Sequence, residues 1–352
     1  MDPQVQAALV AGGVGLISLG GTVVVALRGF RASKEAAAMA ADAAHQDTAE
    51  TLKVQREQLD RTLDQQRVQL AKTLDQQREQ LDRTLAEQRE QLARTLGEQR
   101  VRLFSDRCAA AADALGHEKP ATRLAGVYAF AALADDWEGQ QQTCIDVLCG
   151  YMRFPYQPTP GQDGYREGEK EVRHSLIRII RDHLRDSAAI SWQGRIFRFH
   201  HVTFDGGDLS HIRMSGGYMS FYGAKLPTGL LDFRGAEFSG GTVDFLDAEF
   251  SGGRADFRRA TLSGGEVKFG RATFSGSAVK FQHAKLLSGS MSFEDAIFSA
   301  GTVDLTHSSF AGALIDFSQS RFSGGNVDLR NPAETSKPPK VPDPLPAGIL
   351  RS

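Results

Sequence analysis

Cysteine is scarce in this chain: only Cys108, Cys144 and Cys149 occur in 352 residues. They are too few and too clustered for a disulfide framework, so reduced thiols in a cytosolic setting are expected. Cys144 and Cys149 form one loose pair, with His117, His174 and His183 nearby in sequence, whereas a zinc site wants two close pairs at metal spacing. Phosphate-cradling glycine loops and nucleophile motifs are missing. Asp135 and Asp136 are adjacent and read as a helix end rather than as carboxylates sharing a proton. Neither sign of charge is in excess: 41 Lys and Arg against 43 Asp and Glu leave a formal net charge of -2. No global field recruits nucleic acid, and nucleic-acid binding is not expected. No catalytic, cofactor-binding or metal-ligating residue is assigned, and a non-enzymatic protein is expected.

What the chain does have changes sharply along its length. Val5–Leu27, "VQAALVAGGVGLISLGGTVVVAL", carries no charge. As a helix it covers the ~30 Å hydrocarbon core of a bilayer. A cleaved signal peptide wants a basic start and a shorter apolar core; here the start carries Asp2. A single-pass membrane anchor is expected over residues 1–31. Arg28, Arg31 and Lys34 flank its C-terminal side, which puts the N-terminus outside and the bulk of the chain in the cytoplasm of a cell membrane. Ala7, Ala11 and Gly15 sit four apart, a spacing that lets such helices approach.

Residues 32–104 carry an 11-residue beat: "TLKVQREQLDR", "TLDQQRVQLAK", "TLDQQREQLDR", "TLAEQREQLAR", "TLGEQRVRLFS". Leucines recur at Leu52, Leu59, Leu63, Leu70, Leu74, Leu81, Leu85, Leu92, Leu96 and Leu103. Eleven residues in three turns slightly exceed the straight helix, so packed helices wind gently right-handed. Glu57–Arg61, Glu79–Arg83 and Glu90–Arg94 have the favourable i,i+4 order. A lone helix leaves this stripe in water over ~80 Å, so a homo-oligomeric coiled coil is expected. A lipid-lying helix would want a broader apolar face with lysines at its rim. Residues 105–190 read as a small helical domain. Pro120 opens one helix, on which Leu124, Val127, Tyr128, Ala131 and Leu133 suit packing. "TCIDVLCGYM" reads as a second helix and "EVRHSLIRIIRDHL" as a third, separated by a Pro- and Gly-rich loop.

From residue 191 to 330 one phrase recurs. "FSGGTVDF" at 238 is followed by "FSGGRADF" at 250, "LSGGEVKF" at 262 and "FSGSAVKF" at 274. Seventeen of the 21 phenylalanines lie between Phe197 and Phe322. Small or branched residues precede each Phe or Leu by two, as in Val243 and Phe245, Ala248 and Phe250. That spacing points both to one side of an extended chain, with an outward residue between. The second members step by five at first, then by seven and five in alternation.

This [Ala/Val]-x-[Phe/Leu]-x-x pattern resembles the pentapeptide repeat. With the preceding "RLAGVYAFAALADDW", "EVRHSLIRIIRDHL" and "SWQG", the chain is similar to bacterial membrane-anchored pentapeptide-repeat proteins. The resemblance implies an all-β right-handed quadrilateral β-helix with small and bulky residues inward, and "SGG" as an extension of alternate corners. Four faces stepping five, seven, five and seven close one coil, so position i should stack on position i+24. Phe245, Phe269, Phe293 and Phe317 should then form one column, and Phe250, Phe274, Phe298 and Phe322 another. Leu262 and Leu286 share a third column; Leu226 does not fit. One branch of the family imitates DNA and binds type II topoisomerase, which needs an acidic surface. Between Phe197 and Arg330 there are 14 Asp and Glu against 13 Lys and Arg. His200, His201, His211, His283 and His307 read as scattered surface histidines.

After Asn331 the tail holds six of the 12 prolines, and residues 331–352 are expected to be disordered or polyproline-like. The expected whole is a membrane-anchored, homo-oligomeric scaffold or interaction protein, with a topoisomerase-binding DNA mimic as the alternative. The sequence names no protein partner.

Overall fold

The computed structural model describes residues 23–351, which divide into two units after Thr95. The expected anchor at Val5–Leu27 lies, apart from its last residues, outside them. Among the described residues no helix is long and apolar enough to cross a membrane.

Helix α1 runs Val23–Gly116. Its 11-residue repeat is also a hydrogen-bond repeat. Thr62, Thr73, Thr84 and Thr95 each donate their hydroxyl to the carbonyl four residues back, at 2.8–2.9 Å. This satisfies a side chain that otherwise competes with the helix. Arg83 pairs with Glu79 at 2.5 Å and Arg94 with Glu90, as the i,i+4 order predicts. All ten stripe leucines are exposed on this single chain, between 40% and 64%. The expected helix is therefore present; no long coiled coil is evident in this single chain.

The end of α1 packs into the helical domain with α2 (Pro120–Asp136), α3 (Gln141–Met152) and α4 (Glu169–Leu184). Pro120 occupies the first turn of α2, where its missing N–H costs nothing. The buried face of α2 holds Gly126, Val127, Phe130, Ala131, Leu133 and Ala134. Tyr128, expected to pack, is instead 52% exposed. The contact with α1 runs through Gly126, where a Cβ would come within 2.7 Å of the Leu115 amide nitrogen. The buried face is thus centred on Gly126, Val127, Phe130 and Ala131, and Tyr128 lies outside it. A buried ion pair, Arg123 to Glu169 at 3.1 Å, ties α2 to α4. The Tyr151 hydroxyl of α3 donates to the same carboxylate at 2.8 Å.

Beyond Trp192 the chain winds into a parallel β-solenoid of about 6 turns. Strands such as Glu237–Asp244, Thr261–Lys268 and Lys285–Ser292 stack into an eight-stranded sheet, and Thr273–Lys280 and Ile297–Asp304 belong to a ten-stranded one. The register is the expected one, i on i+24: Phe250 pairs with Phe274, Phe274 with Phe298 and Phe298 with Phe322. Leu262 pairs with Leu286, and Leu226 takes a place in the Phe250 column. Rings of Phe245, Phe269, Phe293 and Phe317 stack with centroids 4.6–5.0 Å apart.

The expected four faces group into two sheets because the corners are of two kinds. At the Ser-Gly-Gly corners the strand keeps pairing through a register shift, as between Phe274 and Ala278. At the five-residue steps it breaks into a tight turn. In Phe245–Ala248 the Ala248 N–H donates to the Phe245 carbonyl at 3.0 Å, and Asp247 takes a φ of 56°. That is where a type II turn demands glycine or a tolerant polar residue. The same position is filled by His, Arg, Asp, Gln or Asn around the rod, ten non-glycine residues in all. Positive φ is costly for most side chains, so something must hold the corner.

A buried aspartate does so. The residue before the inward Phe was expected to face outward. At 232, 244, 256 and 328 it is Asp with 9% exposure or less. Each accepts the N–H of the residue two further on, as Leu246 to Asp244 Oδ1 at 2.9 Å. Asp208, Asp304 and Asp316 repeat the contact. These seven aspartates all fall on one 12-residue beat, so the signal was in the sequence.

The tail differs from expectation. Residues 332–351 wind on as another coil: Glu334–Thr335 pairs beside Ser309–Phe310, and Ile349–Leu350 beside Asn326–Asp328. Proline cannot donate to a ladder and so is kept out of central strands. Here non-proline residues supply the donors to the preceding coil. Ala333, Ser336 and Lys340 donate backward at 2.9–3.1 Å. Ile349, 5% exposed, joins the core.

Candidate functional site

The densest polar constellation lies where the helical domain meets the first coil. Asp205, in the first corner region, is 6% exposed. It accepts from the Tyr156 hydroxyl at 2.8 Å and bonds His174 Nε2 at 2.9 Å. Lys170 Nζ stands 3.4 Å away. Tyr156 comes from the Pro-rich loop, whereas Lys170 and His174 share one face of α4 at the i,i+4 spacing. Burial pushes the Asp205 carboxyl up, but the hydrogen bonds from His174 and Tyr156 and the charges of His174 and Lys170 outweigh it, holding it at about 2. The Tyr156 phenol is raised by burial and then by Asp205. Beneath them Arg173 is buried, with its guanidinium 4.3 Å over the Tyr156 ring. It donates to the carbonyls of Met152 at 2.7 Å and Thr203 at 3.3 Å. The contacts of Tyr156, Arg173 and His174 join α3, α4 and the first coil.

A second fastening uses residues singled out in the sequence. Asp135 accepts from Trp192 Nε1 at 2.9 Å and bonds His183 Nε2 at 3.0 Å. His183 stacks on Trp192 with ring centroids 4.1 Å apart. Asp135 thus ends α2 and anchors the "SWQG" entry to the solenoid, while Asp136 turns away to Arg107 at 2.9 Å. The two aspartates do not form a proton-sharing pair.

Cys144 and Cys149 are placed as poor nucleophiles. Both are fully buried and free. Burial pushes their thiols up to about 11 and about 12, the opposite of thiolate activation. Neither is brought to a histidine–carboxylate pair. Among the described residues no group of three or more His, Cys, Asp or Glu is placed to hold a metal ion.

The rod histidines are more ordered than their sequence positions suggest. His211, His283 and His307 occupy equivalent corners of one column, and His283 and His307 stack at 5.4 Å. A shallow cleft of about 630 Å³ runs along this column past Arg234, Arg258 and Arg259. Arg234 and Arg258 are each clamped at 2.6 Å by Asp232 and Asp256 beneath them. Two of its three guanidinium groups are therefore charge-matched, whereas Arg259 has no ion-pair partner among the described residues.

No family model matches the chain, and no curated protein and no solved structure matches it.

Proposed function

We propose that this chain is a non-enzymatic scaffold. It assembles with copies of itself through α1 and presents the solenoid as a surface for a protein partner. The observation that carries this reading is the leucine stripe, ten exposed leucines from Leu52 to Leu103 on one helix face. Helix packing on an 11-residue beat buries such a stripe. Val5–Leu27 would hold each copy at a cell membrane with Arg28, Arg31 and Lys34 on the cytoplasmic side. Copies anchored in one orientation favour a parallel assembly. The finer reading of the solenoid, a right-handed quadrilateral coil of the pentapeptide-repeat kind, is supported by its Phe columns, in which each ring pairs with the one at i+24.

The test is sedimentation of residues 32–352 at tens of micromolar. An oligomer is expected. Replacing Leu70, Leu74 and Leu81 by Lys should give a monomer with the β-solenoid intact, because each unpaired charge in the seam costs several kcal/mol. A monomeric unsubstituted chain overturns the assembly. The DNA-mimic reading predicts that the same protein inhibits type II topoisomerase in a supercoiling assay; with charges matched along the rod, no inhibition is expected.

A further inference from the structure

The helical domain carries an open cleft of about 1040 Å³ that none of the above uses. Its apolar floor and walls come from Leu115 at the end of α1, Val147 and Gly150 of α3, and Phe154 just beyond α3. Phe154 is 67% exposed, so one wall is a phenyl ring left to solvent. Gly150 stands in the last turn of α3, two residues before its end. Packing does not ask for it: a Cβ there would meet only Arg153 Nη2, at 3.4 Å. Its effect is to keep the floor low. Along α3 the cleft runs from Thr143 to Phe154, ~16 Å at the helical rise.

The charges at the cleft are unequal. Asp146 is matched, by Arg198 at 2.9 Å and Gln142 at 3.0 Å. Among the described residues Arg153 makes neither an ion pair nor a side-chain hydrogen bond. Arg166 makes a single long one, 3.3 Å to the His117 carbonyl. Two under-used guanidinium groups therefore border an apolar trough. Guanidinium recognises carboxylate and phosphate through paired N–H donors, and an apolar trough with few polar groups is the usual shape of a small-molecule site.

We propose that this cleft binds a single-chain amphiphile with an anionic head, of the fatty-acid class, its chain along α3 and its carboxylate against Arg153 and Arg166. The site stands independently of the scaffold reading, because no residue of the leucine stripe from Leu52 to Leu96 takes part.

The probe is 11-(dansylamino)undecanoate, titrated against the full chain in lipid nanodiscs, with empty discs subtracted. Saturable binding of one probe per chain is expected. Gly150→Leu should fill the trough and weaken binding at least tenfold. Arg153→Glu should weaken it at least tenfold as well, while changing binding of the matching uncharged dansyl alcohol by less than twofold. Circular dichroism of both variants should match the parent; if Gly150→Leu does not fold, Arg153→Glu still decides. Failure of the parent chain to bind, or equal binding by parent and Arg153→Glu, overturns the proposal. So does a photocrosslinker at Phe154 (Phe154→p-benzoylphenylalanine) that captures a protein segment and no acyl chain, since the cleft would then be a helix-docking groove.

Discussion

Replacing Phe269 by alanine probes the solenoid core at its centre. Phe269 is fully buried and stacks on Phe245 at 5.0 Å and on Phe293 at 4.8 Å. Phe257 and Phe281 meet it edge-on at 6.1 Å. Truncating a buried phenylalanine costs ~3–5 kcal/mol in transfer and cavity terms. Aromatic pairs add ~0.5–1.5 kcal/mol each beyond area. With a stacking partner on both sides and rigid coils that cannot collapse into the gap, the loss should lie at the top of that range, about 5 kcal/mol. Phe322 is the contrast: it is half-buried at the end of its column and stacks on Phe298 alone, at 4.6 Å. Its truncation should cost about 2 kcal/mol. In hydrogen-exchange mass spectrometry, a difference of about 3 kcal/mol is a factor of about 100 in opening. Peptides spanning residues 245–293 should therefore exchange about 100-fold faster in Phe269→Ala than peptides spanning 298–322 do in Phe322→Ala, each relative to the parent. Equal losses, or a Phe269 loss below about 2 kcal/mol, the figure for a half-buried ring, would refute the continuous stack as the source of stability.

Acid should weaken the junction between the helical domain and the first coil. Asp205 has its carboxyl depressed from 3.8 to about 2, so its stabilising contribution is complete above pH ~4 and is lost as pH falls toward 2, about 2 kcal/mol in all. A stability titration should be flatter below pH 4 in Asp205→Asn than in the parent; the same slope in both would show that this carboxylate is not the one titrating. Deleting residues 332–352 should expose the edge of Asn326–Asp328 and the end of the Phe298 column, giving concentration-dependent association by light scattering. A truncated chain that scatters like the parent would mean the tail does not protect the edge.

The sequence by itself determined the beat. Side chains that alternate across an extended chain, repeated at steps of five and seven, sum to one coil that returns at i+24. The Phe and Leu columns follow because every coil must present the same inward positions to the coil beneath. The 11-residue helix and the three helices of the small domain were legible for the same reason: each rests on local periodicity. What periodicity does not encode is which groups meet once distant elements close on one another. Tyr128 fits a packed face on spacing alone, yet α1 packs against α2 at Gly126 and Tyr128 stays exposed. The Asp residues of the repeat read as outward by alternation, yet the tight corner folds the backbone N–H two residues on over them and buries them. Tyr156 and His174 precede Asp205 by 49 and 31 positions and show no pattern in the sequence; only the docking of α4 on the first coil brings the three together. The tail is the sharpest case. Its prolines argue against a strand, yet Glu334–Thr335 and Ile349–Leu350 pair with the coil before them, on an edge that exists only after the preceding coils have stacked.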